Sequence, residues 1–263
     1  MPNRALLTAA TGMQVQQQNV DNIANNLANS STVGFKRTRL EFQDLMYQNM
    51  RSAGGAANAS TPLPVGLQIG MGARSIASEK IFSQGDLKNT NNPTDLLIDG
   101  SGFFQIRQTN GELAYTRSGQ FSLNNVGQVV TANGDALEPA ITIPTNATAI
   151  SIANDGTVSV NLPGQTNAAN VGQIQLAIFA NPAGLESLGG NLYKETGASG
   201  QPTVGAPDAN GIGKVTQGYL EGSNVNVVEE LVNMISAQRV YETNSKVITT
   251  ADRMLGTINQ AVN

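Results

Sequence analysis

Nine carboxylates in the middle of the chain are the natural starting point for acid–base chemistry: Asp86, Asp95, Asp99, Glu112, Asp135, Glu138, Asp155, Glu186 and Glu195. A general acid paired with a general base could be drawn from such a set. Several of them adjoin Gly or Asn, however, which is the setting of a turn-forming Asp. Gly70-Met71-Gly72, Gly100-Ser101-Gly102 and Gly211-Ile212-Gly213-Lys214 look like fragments of phosphate-binding loops. None sits between a strand and a helix with the required spacing, so they read as turns. A calcium loop starting at Asp86 would carry Lys88 at its third position and Leu97 at its twelfth, which excludes it. Asn29-Ser30-Ser31, Asn58-Ala59-Ser60 and Asn146-Ala147-Thr148 are formal glycosylation sequons, as chance predicts in an Asn-rich chain. Lys36, Arg37 and Arg39 form a small basic cluster that reads first as a solvated face and second as a protein contact.

The residue types that are missing narrow the chemistry further. The 263 residues include no Cys, no His and no Trp. Disulfides, Cys/His metal sites and His-dependent triads are therefore excluded. No catalytic residue, metal ligand or cofactor is expected. Charged residues are only 13% of the chain, and 15 Lys+Arg against 19 Asp+Glu leave a net charge of −4. That balance does not suit a phosphate-tracking surface, so no nucleic-acid partner is expected. No apolar run approaches the ~18 residues of a membrane span, so no membrane insertion is expected. The opening Met1-Pro2-Asn3-Arg4-Ala5-Leu6-Leu7 soon gives way to Gln14-Val15-Gln16-Gln17-Gln18, unlike a cleaved export signal.

Such a chain calls for a structural reading, and the distribution of Gly and Pro supports one. Both ends are nearly free of these breakers and the middle is dense in them. Near the N-terminus Leu6, Met13, Val20 and Leu27 recur every seven residues, with Ala10, Gln17 and Ala24 four further on. The pattern predicts a helix over about residues 3–28. Near the C-terminus Val227, Met234, Tyr241, Ile248, Leu255 and Val262 repeat at the same interval, widened by Leu231 and Ile258. Asn226 is a fitting N-cap, with Glu229 three residues on as in a capping box. Between the helices, short apolar runs alternate with the turn pairs Asn110-Gly111, Asn133-Gly134 and Asp155-Gly156. Strands are expected at 96–98, 103–107, 114–117, 120–123, 128–131, 141–143, 150–152, 158–160 and 174–179, in a sandwich or open barrel. Residues 48–66 are small, polar and rich in breakers, which predicts an extended or disordered loop.

The expected fold class is α+β: long terminal helices forming a coiled coil, a central all-β domain and an extended linker. The boundaries are 1–30 and 226–263 for the helical domain, 31–70 for the linker and 71–225 for the β domain. Matching stripes allow the two helices to pair. Apolar residues off the stripes, Ile23 and Ala9 on one helix and Val228, Ile235 and Val240 on the other, would then mark an association surface. Head-to-tail packing of such subunits with a fixed rotation makes an open helical filament.

Several stretches also resemble the bacterial flagellar rod and hook proteins. They are Asn25-Asn26-Leu27-Ala28-Asn29 with Thr32-Val33-Gly34-Phe35-Lys36-Arg37, Leu97-Ile98-Asp99-Gly100-Ser101-Gly102-Phe103-Phe104, Tyr115-Thr116-Arg117-Ser118-Gly119-Gln120-Phe121, and Gln217 through Asn226. The resemblance covers essentially the whole chain. Its length and the extra segment Tyr47–Pro64 are most like members that build the distal rod.

The resemblance implies a hollow helical homopolymer across the periplasm, exported by the flagellar type III apparatus without a cleaved signal. Implied partners are proximal rod proteins below, hook protein above, and the peptidoglycan and outer-membrane rings as a bushing. The assembly residues it points to are Leu6, Met13, Val20, Leu27, Val227, Leu231, Met234, Tyr241, Ile248 and Leu255. Tyr47, Arg51, Pro62 and Pro64 are the expected linker contacts between subunits. A proximal rod or hook subunit, a secreted coiled-coil/β-domain binding module and a wall-cleaving enzyme are the alternatives.

Overall fold

Breaker-free ends become helices and the breaker-rich middle becomes sheet. The computed structural model describes residues 2–51, 56–58, 61–62, 65–164 and 167–262. Helix α1 spans Pro2–Ala28 and helix α2 spans Val227–Val262. Asn226 caps α2, its Oδ1 accepting the N–H groups of Val228 at 3.1 Å and Glu229 at 3.3 Å. Glu229 and Glu230 add negative charge at the positive end of the helix dipole. The chain divides into two compact units. One comprises residues 1–28, 38–79 and 226–263, and the other residues 29–37 and 80–225.

In the first unit α1 and α2 pack side by side and antiparallel. Asn26, late in α1, meets Glu230, early in α2, while Gly12 lies against Asn244. The buried residues of the seam are Ala9, Asn26, Glu230 and Ala237, which are small or polar, and one large apolar residue, Ile23. Its second column on α1 lies three residues after the heptad, at Ala9, Gln16 and Ile23. Ala10, Gln17 and Ala24, expected in that place, are exposed. Ile23 is the one large apolar side chain among the six candidates, and its burial selects the phase.

The opposite face of α1 carries a β ribbon. Thr38–Asp44 pairs with Ala73–Lys80, Tyr47–Arg51 with Leu67–Gly70, and Ala56–Asn58 with Thr61–Pro62. These nested pairs form one long antiparallel hairpin where an extended linker is expected. Backbone pairing along the ribbon offsets the low β propensity of its small polar residues. Thr11, Val15, Gln18 and Asn22 share the α1 face beneath it. Gln18 Oε1 accepts from Ser75 Oγ at 2.7 Å, and Asn22 Nδ2 donates to the Thr38 carbonyl at 2.8 Å. A Cβ on Gly72 would fall 2.1 Å from Thr11 Oγ1, so helix and ribbon touch there only because the position is Gly.

The second unit is β-rich and antiparallel. A branched nine-stranded sheet runs from Phe121–Leu123 through Val129–Thr131, Ala136–Glu138, Phe103–Arg107, Leu113–Thr116 and Leu192–Lys194 to Glu186–Gly189. Ala149–Ile152, Thr157–Asn161 and Ala169–Gln173 form a smaller sheet. Strand Phe103–Arg107 is buried on both faces. Phe104 and Ile106 enter the main core with Leu137, Leu176 and Val215. Phe103 joins an aromatic cluster with Tyr115, Phe179 and Tyr193. The Asn110-Gly111 turn closes the hairpin that pairs Arg107 with Leu113. Residues 141–143, expected as a strand, contribute a single bridge at Thr142. Pro139 and Pro144 flank them, and Pro cannot donate to a ladder. Ile141 and Ile143 still fill the core.

Candidate functional site

The first candidate surface lies on the paired helices. Leu6, Met13, Val20 and Leu27 are half-buried along α1. Met234, Ile248 and Leu255 are half-buried along α2, beside the column Glu230–Ala237–Asn244 that faces α1. Val227, Leu231 and Tyr241 are exposed. The far side of α2 is apolar and open: Val228 is 70% exposed, Val232 60%, Ile235 51% and Met254 60%. A shallow groove of about 330 Å³ runs between Val232, Ile235, Arg239, Val240 and Thr243. Apart from Ile23, small and polar residues fill the seam, while Val228, Val232, Ile235 and Met254 face outward. On the ribbon, Tyr47 and Arg51 are exposed. Pro62 belongs to strand Thr61–Pro62, and Pro64 lies outside the described residues, as do 52–55 and 59–60 of the expected loop.

The second candidate is a buried ion cluster within the β-rich unit. Lys36 is fully buried, which corrects its reading as part of a solvated basic face; Arg39, by contrast, is exposed and pairs with Glu79 at 2.8 Å. Lys36 Nζ donates to Glu221 Oε1 at 2.5 Å and to the Ser83 carbonyl at 2.7 Å. The Gly85 N–H donates to the same carboxylate oxygen at 3.0 Å. Glu221 Oε2 lies 3.2 Å from Arg117 Nε, close enough for ion pairing but outside hydrogen-bond geometry. Arg117 also donates to the Gly102 carbonyl at 2.8 Å and stands over the Phe103 ring. Burial lowers the pKa of Lys36 and of Arg117, and the Glu221 charge opposes that shift in both.

Backbone and amide bonds complete the junction. The Gly34 N–H donates to the Glu221 carbonyl at 2.8 Å, and Asn224 Oδ1 accepts the Arg37 N–H at 2.7 Å. Asn224 Nδ2 donates to the Ile81 carbonyl at 2.7 Å, and Asn191 Nδ2 to the Val33 carbonyl at 2.9 Å. Gly34, at φ +71°, leaves no room for a side chain, since a Cβ would fall 2.7 Å from the Ser118 amide. The roles of Glu221 and Arg117 escape sequence reasoning. Their stretches stand out, but pairing across 185 residues between Lys36 and Glu221 has no local signal.

Five of the nine carboxylates considered for acid–base work are engaged in ion pairs or turn hydrogen bonds. Glu112 pairs with Lys194, Glu138 with Arg107 and Asp99 with Lys214. Asp135 accepts the Thr109 N–H, and Asp155 accepts the N–H and hydroxyl of Thr157, which lowers its pKa. Among the described residues no three metal-ligating side chains gather, and no helix is long and apolar enough to cross a membrane.

Comparison with known proteins matches three segments of the chain to family models. Residues 6–36 match the family described as flagella basal body rod protein. Residues 97–160 match the flagellar hook protein FlgE/F/G D1 domain, and residues 216–261 the C-terminal family of flagellar basal body rod FlgEFG proteins. The flagellar basal-body rod protein FlgG of Buchnera aphidicola is 52% identical over 97% of this chain and 98% of its own. FlgG of Caulobacter vibrioides is 50% identical over 98% of each chain, and FlgG of Bacillus subtilis 41% over 96% of each. The chain belongs to the flagellar basal-body rod protein family and is a structural subunit of the rod. Each residue of the buried cluster comes from a different matched segment: Lys36 from the first, Arg117 from the second and Glu221 from the third.

Proposed function

We propose that this chain is a subunit of the distal rod, which polymerises through its terminal helices into a hollow helical shaft. The shaft carries torque from motor to hook and lets export substrates pass along its axis. The observation that carries this reading is the apolar outward face of α2 in a chain that matches rod proteins along its whole length. A seam of Ala, Asn and Gly supplies little apolar burial, so the helix pair gains most of its stabilisation from neighbouring copies. Leu6, Met13, Val20, Leu27, Val227, Leu231, Met234, Tyr241, Ile248 and Leu255 would then pack in a coiled-coil inner tube. Tyr47, Arg51, Pro62 and Pro64 would contact neighbouring subunits and stiffen the shaft. Proximal rod proteins and hook protein would meet its two ends, the rings would surround it, and export would need no cleaved signal.

Leu27→Asp and Tyr241→Asp test the inner-tube assignment. Both are expected to block rod assembly while the β domain keeps its melting temperature. An assembled rod in either variant contradicts the assignment. Deleting residues 47–64 is expected to bend the shaft, and a straight rod in that deletion contradicts the stiffening role.

A further inference from the structure

Three charges buried together need a reason. Removing two cations and a carboxylate from water is costly, and an apolar group of similar volume often fills such a space with equal or better stability. Apolar neighbours are at hand: Phe35 is buried, and Phe82, Phe103 and Tyr193 contact one another edge to face. Lys80 Nζ already stands over the Phe35 and Tyr193 rings at 5.5 Å from each centroid. The cluster also leaves Lys36 and Arg117 sharing one carboxylate. Stability alone does not account for this arrangement.

Direction does. Lys36 sits on the short segment 29–37, the chain's first passage through the β-rich unit, and Glu221 lies just before residue 225, where the chain leaves it for the last time. A slip of one residue along segment 33–37 would strand the Glu221 carboxylate without its closest cation and set Phe35 or Arg37 opposite it. A purely apolar junction would tolerate the slip, because it discriminates by volume alone. The backbone bonds at Gly34, Arg37 and Asn224 share one register with the ion pairs, so all must shift together.

We infer that the Lys36–Glu221–Arg117 cluster is a register lock, holding the incoming segment 33–37 and the outgoing segment 217–224 in a single alignment, and that it contributes to path rather than to stability. In the rod this fixes two of the four places where the chain, and load with it, passes between the units, those after residue 37 and before residue 226. That consequence rests on the torque-bearing reading; the lock itself does not.

The test uses the full-length soluble chain. The triple variant Lys36→Met/Arg117→Met/Glu221→Leu makes the cluster apolar. It is expected to melt at the parent temperature or higher, while amide exchange at residues 34–37 and 219–222 quickens by about tenfold or more. Glu221→Gln, which leaves two cations unpaired, is expected to lower the melting temperature and quicken the same amides. Parental exchange in the triple variant overturns the lock. Failure of the triple variant to fold overturns it too, since the charges would then hold the fold itself. Swimming in viscous medium is expected to fall in the triple variant. If exchange quickens and swimming does not change, the lock stands and its torque consequence fails.

Discussion

Tyr115 and Tyr193 show at residue scale how the second unit responds to alkali. Burial is the main cause that raises each phenol to about 12, with the Glu195 carboxylate adding to it at Tyr115 and Arg117 partly opposing it at Tyr193. Both therefore stay neutral in the fold after an unfolded tyrosine ionises near ~10. Between about pH 10 and 12 the folded state binds more protons than the unfolded one, so their contribution is intact below that window and fades through it. Lys36 has the opposite sign: its pKa is lowered, chiefly by burial, so its contribution rises as pH climbs toward 10.5. An absorbance titration is expected to show Tyr115 and Tyr193 ionising at about 12, with the β signal falling in the same range. Ionisation of Tyr115 and Tyr193 near ~10 with no loss of β signal contradicts the assignment. The positive charges around Glu221 lay partly within view in the sequence, as a basic triplet. Which of the three was buried depended on partners 81 and 185 residues away, and periodicity carries no such information.

At the scale of elements, the helices and central strands were the most legible. Asn226 marks the start of α2 because a short polar side chain ahead of a breaker-free apolar repeat can serve the free N–H groups of the first turn. Asn226→Ala is expected to cost about 1 kcal/mol and to fray that turn, read by exchange at Val228 and Glu229. Asn-Gly and Asp-Gly pairs located the hairpins because few other residues accept the turn conformation. The ribbon over residues 38–80 was not legible. Its strands are polar and mostly exposed, so no apolar alternation marks them. The packing of α1 against α2 was legible in period but not in phase. Gly12 shows why: a Cβ there would meet Asn244 Nδ2 at 2.8 Å, so the helices approach where the sequence has least side chain. Gly12→Ala needs only a shift of the Asn244 amide. Gly12→Leu forces the helices apart and is expected to cost about 1–3 kcal/mol in the helical unit. The β-rich unit is expected to keep its melting transition, and a matching loss there contradicts the independence of the two units.

At the scale of the whole molecule, the low charge density and the outward apolar face describe a chain made to be surrounded. A charge content of 13% leaves few strong, angle-specific contacts for an enclosing ring. Adding a lysine at an exposed β turn, as in Val126→Lys, is expected to slow rotation within a ring, measured as swimming speed in cells with normal numbers of flagella; unchanged speed contradicts that expectation. The family was legible because its stretches carry the glycines and buried charges of the Lys36–Arg117–Glu221 cluster, where backbone geometry and charge restrict the residue types that fit. Number of subunits per turn and the faces that meet the rings depend on contacts between copies, which no pattern within one chain records. The most direct test is to delete the gene and image isolated basal bodies by electron microscopy. The account predicts short rods lacking the outer-membrane ring and hook, restored by the intact gene. Basal bodies with no rod at all would move the subunit to the proximal segment, and a complete rod and hook would contradict its place in the shaft.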